Sequence, residues 1–392
     1  MPTLGEVCAT YGAAYLDHYG DRVPTGHRRV LQLIADCGTG RLGRVSYRCA
    51  QCAAEGRDAV HHTHASCGNR HCPGCQTANN GAWCVEQTKK LLPCEYFFVT
   101  FTIPSQLRRF VRSNQAVCYR AMFDAAAFAL RTALASERFC GAETIGFTAV
   151  LHTFGRDMSY HPHVHVIIPG GGMSDGAWKS TRPGFLVPVK LLSKLFRTEF
   201  ERLLRAKLCE SRLPDAKDFR REFVTDVEAV GDGVATLKYL SRYVFRTAIT
   251  NDRIVSMHNG QVTFRYRPTR DSSSGESHDR QMTLPVFEFL RRFLQHVLPR
   301  RLQKIRHYGF LSRRSNIDLD DVRDAIIESL RDIEPDLELE EWTVPSLRPA
   351  EDDGPRCPVC GGPLIFLSFH RIRPPPLNRR DSRPGSTTEH SF

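Results

Sequence analysis

No apolar run in this 392-residue chain approaches the roughly 20 residues that a membrane helix needs, so a spanning segment is not expected. The N-terminal stretch MPTLGEVCATYGAAYLDHYG lacks the basic start and long apolar core of a secretory leader, and a soluble, cytoplasmic protein is the expectation. There is no internal repeat of the kind that builds solenoids or propellers. Acidic residues are in deficit: 43 Asp and Glu stand against 54 Lys and Arg, a net charge of +11. A basic surplus is what a polyanion-binding surface needs, although many basic proteins bind no nucleic acid. Cysteine is not scarce, and nine of the 14 fall between Cys8 and Cys94. In a reducing compartment, clustered cysteines with two-residue gaps point to metal rather than to disulfides.

The strongest metal signal is Cys49-x-x-Cys52, then nineteen residues, then Cys72-x-x-Cys75. Each knuckle turn presents two thiolates to one ion, which predicts a tetrahedral zinc site made of these four sulfurs. Cys37, Cys67 and His71 are surplus to that set, available to a second site or to exchange into the first. His61, His62 and His64 read by themselves as a solvated loop. Cys357-x-x-Cys360 is a further knuckle with no second one after it; His370 or a spare N-terminal cysteine would complete it.

After the cysteine segment, Tyr96 to Pro104 is aromatic and β-branched, as a buried strand requires. An Ala-rich helix is predicted over Leu107 to Leu134 with Phe110, Phe123 and Phe128 as core contacts, then strands over Ile145 to Phe154 and from Tyr160. This order predicts an antiparallel sheet with helices on one face. Later come a basic amphipathic helix (Val189 to Lys207), a strand pair turning at Asn259-Gly260, and a basic stretch containing Arg306. Residues 315 to 350 are acidic and read as weakly structured, and the Pro-, Arg- and Ser-rich tail from Arg371 reads as disordered.

The stretch YHPHVHVIIPGGG, Tyr160 to Gly172, puts His161, His163 and His165 on one face of a strand, because side chains alternate. A face given to imidazoles is lost to hydrophobic burial, and a metal ion is the expected holder. His152 lies eleven residues before His163 on the preceding strand. A turn near Asp157-Met158 sets the two opposite each other, whereas a slip of one residue turns His152 away. The expected ligands are His152, His163 and His165, with His161 in reserve. Farther on, residues 233 to 249 read as a helix in which Val234, Leu237, Leu240, Val244 and Ala248 share an apolar side. Tyr239 and Tyr243, one turn apart, fall on the other side with Arg242 and Arg246 beside them. Taken alone this pair reads as surface tyrosines; beside a metal it reads as chemistry. A phenol is a poor nucleophile at neutral pH, and an ion on imidazoles polarises a phosphodiester for in-line attack. Tyrosine then stores the bond as a phosphotyrosine, and two tyrosines permit two successive transfers.

The segments HTFGRDMSYHPHVHVIIPGGG, KYLSRYVFRTAI and SCGNRHCPGCQ resemble the two-tyrosine rolling-circle transposases of the HUH endonuclease superfamily, the IS-ninety-one-like group. LLPCEYFFVTFTIP, FLRRFLQHVLP and IRHYGFLS extend the likeness from about residue 27 to about residue 312, and QTANNGAWCVEQTKK departs from it. The resemblance implies an α+β fold, with an antiparallel-sheet HUH core, helices on one face, and a small cysteine-rich zinc domain in front. It implies that His163-Val164-His165 is the HUH motif, His152 the third ligand, and Tyr239 and Tyr243 the nucleophiles, with Mg²⁺ or Mn²⁺ as the catalytic ion; imidazole nitrogens favour Mn²⁺. The implied substrate is single-stranded DNA at the element's ends and target site, cut to a 5′-phosphotyrosine and a free 3′-OH. Arg242, Arg246 and Arg306 are expected on the DNA. Cys49, Cys52, Cys72 and Cys75 map to the family's Zn²⁺ domain, and Cys37 and Cys67 fall at positions its pattern uses. The domains expected are residues 1–92 (helical, zinc-binding, DNA-recognising), 93–312 (catalytic, with the two-tyrosine helix) and 313–392 (an extension with a lone CxxC and a basic tail). Two other classes fit parts of the sequence. One is a zinc hydrolase on His163-x-His165, which lacks further ligands in a recognisable motif; the other is a non-catalytic or decayed zinc-dependent DNA-binding protein.

Overall fold

The computed structural model describes residues 1–231, 245–267, 279–333 and 355–372. In chain order its elements are α1 (Leu4–Tyr19), α2 (Thr25–Ala35), β1 (Gly43–Cys49), α3 (Ala50–Ala54), β2 (Val60–His64), α4 (Pro73–Thr88) and β3 (Tyr96–Thr102). Then come α5 (Arg108–Ser113), α6 (Gln115–Leu134), β4 (Phe147–Phe154), β5 (Tyr160–Pro169), β6 (Gly171–Ser174) and β7 (Ala177–Ser180). These lead to α7 (Val189–Lys207), α8 (Ala216–Phe219), β8 (Val224–Gly231), β9 (Ile254–His258), β10 (Gln261–Tyr266) and β11 (Arg280–Pro285). The last are α9 (Val286–Leu294), β12 (Ile305–Tyr308), α10 (Leu319–Ile333) and β13 (Leu364–Arg371).

The chain divides into two units, one from Met1–Ala78, Thr247–Val297 and Ala350–Phe392, the other from Asn79–Arg246 and Leu298–Pro349. Three consecutive segments are expected from the sequence; instead the C-terminal strand returns to the N-terminal unit. There β13, β1 and β2 form one antiparallel sheet and β11, β10 and β9 another. Helix α1 begins at a capping box, in which Thr3 accepts from the Glu6 N–H and the Glu6 carboxylate accepts from the Thr3 N–H. It packs on α2, with Leu4, Val7, Leu31 and Ile34 buried. Asn259 and Gly260, at φ 48° and 70°, make the two-residue turn between β9 and β10 that this dipeptide predicts. The stretch His61 to His64 is a strand rather than a solvated loop, because β1 offers it an edge and the rings find partners. His62 Nδ1 lies 2.9 Å from Ser46 Oγ, and His64 Nδ1 lies 3.0 Å from the Gly38 carbonyl.

In the second unit five antiparallel strands run in the order β12-β4-β5-β3-β8. Alternation gives the sheet two unlike faces. Phe97, Val99 and Phe101 of β3, with Phe147, Ala149 and Leu151 of β4 and Val164, Val166 and Ile168 of β5, share a core with α6 and α7. Helices α6 and α7 thus form the expected helical layer on one face, while α10 adds a helix to the other. The predicted helix from Leu107 breaks at Asn114 (φ −124°, ψ 38°), and Phe128 turns out to be 40% exposed, since Ala125, Ala126, Ala129 and Leu130 take the buried side. On the opposite face Tyr96, Phe98, Val150 and Ile167 pack with Trp178 of β7 and with Val322, Ala325 and Ile326 of α10. Residues 319–333 are thus an amphipathic helix, not the weakly structured segment their acidity suggests; its apolar residues recur at helical spacing. The rest of that face carries the histidines. No helix among the described residues is long and apolar enough to cross a membrane.

Candidate functional site

The β4–β5 hairpin brings His152 directly opposite His163, and Val150 opposite His165. A bulge lies between His152 and Phe154, so the register changes only beyond the pair that matters. His152, His163 and His165 are buried, and one ligand nitrogen from each lies within 4.8 Å of the others. Their ring centroids are 4.5 to 5.4 Å apart and their planes nearly perpendicular. The neighbours orient them. His163 Nδ1 lies 2.7 Å from the His161 carbonyl. A carbonyl can only accept, so Nδ1 carries the proton and Nε2 keeps its lone pair for an ion. Thr100 of β3, paired across the sheet with His165, sets its Oγ1 3.0 Å from His165 Nδ1, and Phe98 stacks on the same ring at 4.8 Å. His152 stacks on Phe154 at 5.1 Å. Such partners fix the tautomer and the ring direction of a metal-binding histidine.

Burial holds the imidazoles of His163 and His165 neutral. It pulls His163 down to about 3, with the charge of His161 adding to the effect, and it pulls His165 well below the ordinary range, helped by His163 and Arg246. Neutral imidazole is the ligand form, so the cluster is ready for a cation at neutral pH. His161, the reserve ligand, is engaged elsewhere: Arg108 Nη2 donates to its Nδ1 at 2.6 Å, and burial lowers it to about 4.

Tyr239, Arg242 and Tyr243 lie outside the described residues. The chain leaves the sheet at Gly231, on edge strand β8, and is described again from Phe245, which packs against the core of Phe98, Val150 and Ile167. The Arg246 carbonyl accepts from Lys304 Nζ at 2.9 Å, and the Arg246 charge acts on both His163 and His165. Arg306 does not join this site. It pairs with Ala149, so it points to the helical face, where it bridges to Asp124 at 3.1 Å and lies 4.3 Å over the Phe123 ring. A four-residue strand carries too little periodicity to reveal that face in advance.

The cysteines assemble differently from the single set of Cys49, Cys52, Cys72 and Cys75. Cys37 follows α2, Cys67 follows β2, Cys72 immediately precedes α4 and Cys75 lies in its first turn; these four come within 4.8 Å of one another, with Sγ–Sγ distances of 3.6 Å for Cys37–Cys75 and Cys67–Cys75 and 3.8 Å for Cys37–Cys72. Cys49 ends β1 and Cys52 lies in α3, and they meet Cys357 and Cys360 instead. The surplus residues Cys37 and Cys67 therefore belong to the first group, and the two N-terminal knuckles fall in separate groups. His71 is not in either group; its backbone N–H donates to Asn69 Oδ1 at 2.9 Å. A tetrahedral ion about 2.3 Å from each sulfur requires sulfur–sulfur edges of about 3.8 Å, which the first group meets.

A cavity of about 440 Å³ in the second unit is lined by Lys190, Lys194 and Arg197 of α7 and by Arg220 and Arg221 before β8. The sequence marks the helix as basic, but the cavity arises only because the chain leading into β8 brings Arg220 and Arg221 alongside.

Comparison with known proteins adds to this geometry. A family described as “Putative transposase” matches residues 146–317, and one described as “Transposase zinc-binding domain” matches residues 7–103. The “Putative transposase y4qJ” of Sinorhizobium fredii is 38% identical over 335 residues, 80% of this chain and 81% of that protein. The “Transposase for insertion sequence element IS801” of Pseudomonas savastanoi pv. phaseolicola is 27% identical over 351 residues, 85% of this chain and 81% of that protein. No solved structure matches the chain.

Proposed function

Because this chain belongs to the IS91-like insertion-sequence transposases, whose members carry a zinc-binding domain, we propose that it cuts and rejoins single-stranded DNA at the ends of a mobile element. The observation that carries this reading is the meeting of His152, His163 and His165 on a buried patch of the sheet, each ring oriented by a neighbour. An Mg²⁺ or Mn²⁺ ion bound there would polarise the scissile phosphodiester and offset the charge gathering on its oxygens; nitrogen ligands favour Mn²⁺.

Tyr239 and Tyr243 are the proposed nucleophiles. The phenol oxygen of one bonds to phosphorus while the bond from phosphorus to the 3′ oxygen breaks. The phenol proton is released and the 3′ oxygen takes one up, giving a 5′-phosphotyrosine and a free 3′-OH. Attack by a second 3′-OH reverses these steps and restores the phenol, so joining needs no external energy source. Phe245, two residues after Tyr243 in the sequence, packs against the histidine-side core, which supports this assignment. Cys37, Cys67, Cys72 and Cys75 are the proposed zinc ligands of the N-terminal domain, and the basic cavity is the proposed phosphate track.

A covalent-trapping experiment tests the reading. Incubation with a single-stranded end substrate and Mn²⁺ is expected to yield a protein–DNA adduct that survives denaturation. The Tyr239→Phe/Tyr243→Phe double variant is expected to yield none. An equal adduct in the double variant, or no adduct with the wild type, sinks the proposal; the second outcome leaves a DNA-binding protein without strand transfer.

A further inference from the structure

The two family matches stop at residues 103 and 317, so neither reaches the last knuckle. We propose that Cys49, Cys52, Cys357 and Cys360 form a second structural zinc site, which clasps the C-terminal strand onto the N-terminal sheet. Cys49 Sγ and Cys360 Sγ are 3.4 Å apart, Cys52 Sγ and Cys357 Sγ are 3.6 Å apart, and all four sulfurs lie within 4.8 Å of one another. That is close to the tetrahedral edge of about 3.8 Å that a zinc–sulfur bond of about 2.3 Å implies. All four are free thiols, and Cys49, Cys52 and Cys357 are almost wholly buried.

The surroundings suit thiolates. The Cys52 N–H points to Cys49 Sγ at 3.5 Å and the Gly362 N–H to Cys360 Sγ at 3.4 Å, one such contact in each knuckle. His61 Nε2, on β2, stands 3.2 Å from Cys357 Sγ. Donors aimed at sulfur favour the anionic, metal-binding form and orient it. One histidine of the stretch that reads as a loop, His61, thus supports the sulfur ligands, which come from both the N-terminal and C-terminal parts of the chain.

The fold around the site explains why an ion is needed. Strand β13 pairs along the whole of β1, from Gly43 opposite Arg371 to Cys49 opposite Leu364. The approach is so close that a Cβ at Gly43, which sits at φ +110°, would lie 1.9 Å from the His370 carbonyl. Yet β13 buries little: each of its residues after Leu364 is exposed, including Phe366 and Phe369. A strand with almost no buried face adds little stability of its own. The sulfurs of Cys357 and Cys360, which precede β13, lie 305 and 311 residues from their partners, so chain connectivity does not hold them there either. Metal–thiolate bonds supply the missing free energy, as they do in other small cysteine-rich folds.

Native mass spectrometry with elemental analysis of the full chain is expected to find two zinc ions in the wild type. One is expected in Cys357→Ser/Cys360→Ser and one in Cys72→Ser/Cys75→Ser. Alkylation of the native wild type gives a readout that no folding defect can imitate. The exposed Cys209 should label at once, whereas Cys49, Cys52, Cys357 and Cys360 should label only after a chelator is added. The proposal is overturned if Cys357 and Cys360 label as fast as Cys209 without chelator, if Cys357→Ser/Cys360→Ser keeps the wild-type zinc content, or if the second metal is iron. None of these outcomes bears on the phosphotyrosine adduct, so the two proposals stand or fall separately.

Discussion

At the scale of single residues, the histidine cluster was legible in the sequence because it depends on counting. Alternation puts His163 and His165 on one face, and of the two registers the spacing leaves open for His152, the β4–β5 pairing adopts the one that sets it opposite His163. The residues that make the cluster usable were not legible. Thr100 lies 65 positions from His165 and meets it only through the β3–β5 pairing, and Arg108 reaches His161 from a helix. Thr100 also yields a prediction. Its hydroxyl fixes the direction of the His165 ring, so Thr100→Val should weaken Mn²⁺ binding by roughly 10- to 100-fold, the usual effect of losing such a partner. Thr100→Ser, which keeps the oxygen, should bind nearly as the wild type does. Calorimetric titration of the two variants with Mn²⁺ makes the comparison, and equal affinities for valine and serine would mean that the hydroxyl plays no part in orienting the ring.

At the scale of elements, what was visible depended on how much of each element's environment is local. The aromatic strand at Tyr96, the hairpin and the Asn-Gly turn are set by alternation and turn chemistry within a few residues. Strand β2, the partner of the last knuckle and the outward turn of Phe128 depend on what packs from elsewhere. Strand β12 is the clearest case: its sequence reads as part of a basic stretch, but paired with β4 all four of its residues are half-buried. His307 on that strand lies 2.9 Å from Thr148 Oγ1, and burial, with Lys90 and Arg313 nearby, lowers its pKa to about 4. The direction of the consequence follows from linkage. The unfolded chain takes up this proton as the pH falls below about 6.5, while the folded chain resists until about 4, so stability is retained above that window and lost on acidification through it. His307→Gln cannot titrate and should show a shallower fall in Tm between neutral pH and that lower limit. Parallel melting curves for variant and wild type across the range would assign the acid lability to other groups.

At the scale of the whole molecule, a reading that proceeds along the chain divides it into consecutive pieces, whereas each unit is closed by segments far apart in sequence. No local period announces that residues 357 and 360 belong with 49 and 52. Net charge is the one global property that composition does report, and here it is +11. Its functional meaning depends on where the cations gather, and the cavity beside α7 collects Lys190, Lys194 and Arg197 with two further arginines. If single-stranded DNA runs along that cavity, each phosphate neutralised there releases counterions and steepens the salt dependence of binding by about 0.7 in the slope of log K against log salt. Replacing Lys190, Lys194 and Arg197 by glutamine together should therefore flatten that slope by about 2 while weakening binding to all sequences alike, since phosphate contacts carry no base information. Core packing should be untouched, because these side chains line an open basic cavity and the buried residues of α7 are Leu192, Phe196, Glu199, Phe200 and Leu204. Fluorescence anisotropy titrations over a series of salt concentrations measure the slope directly. A triple variant that binds more weakly with an unchanged slope would move the DNA path off α7 and leave the charge surplus to act elsewhere on the molecule.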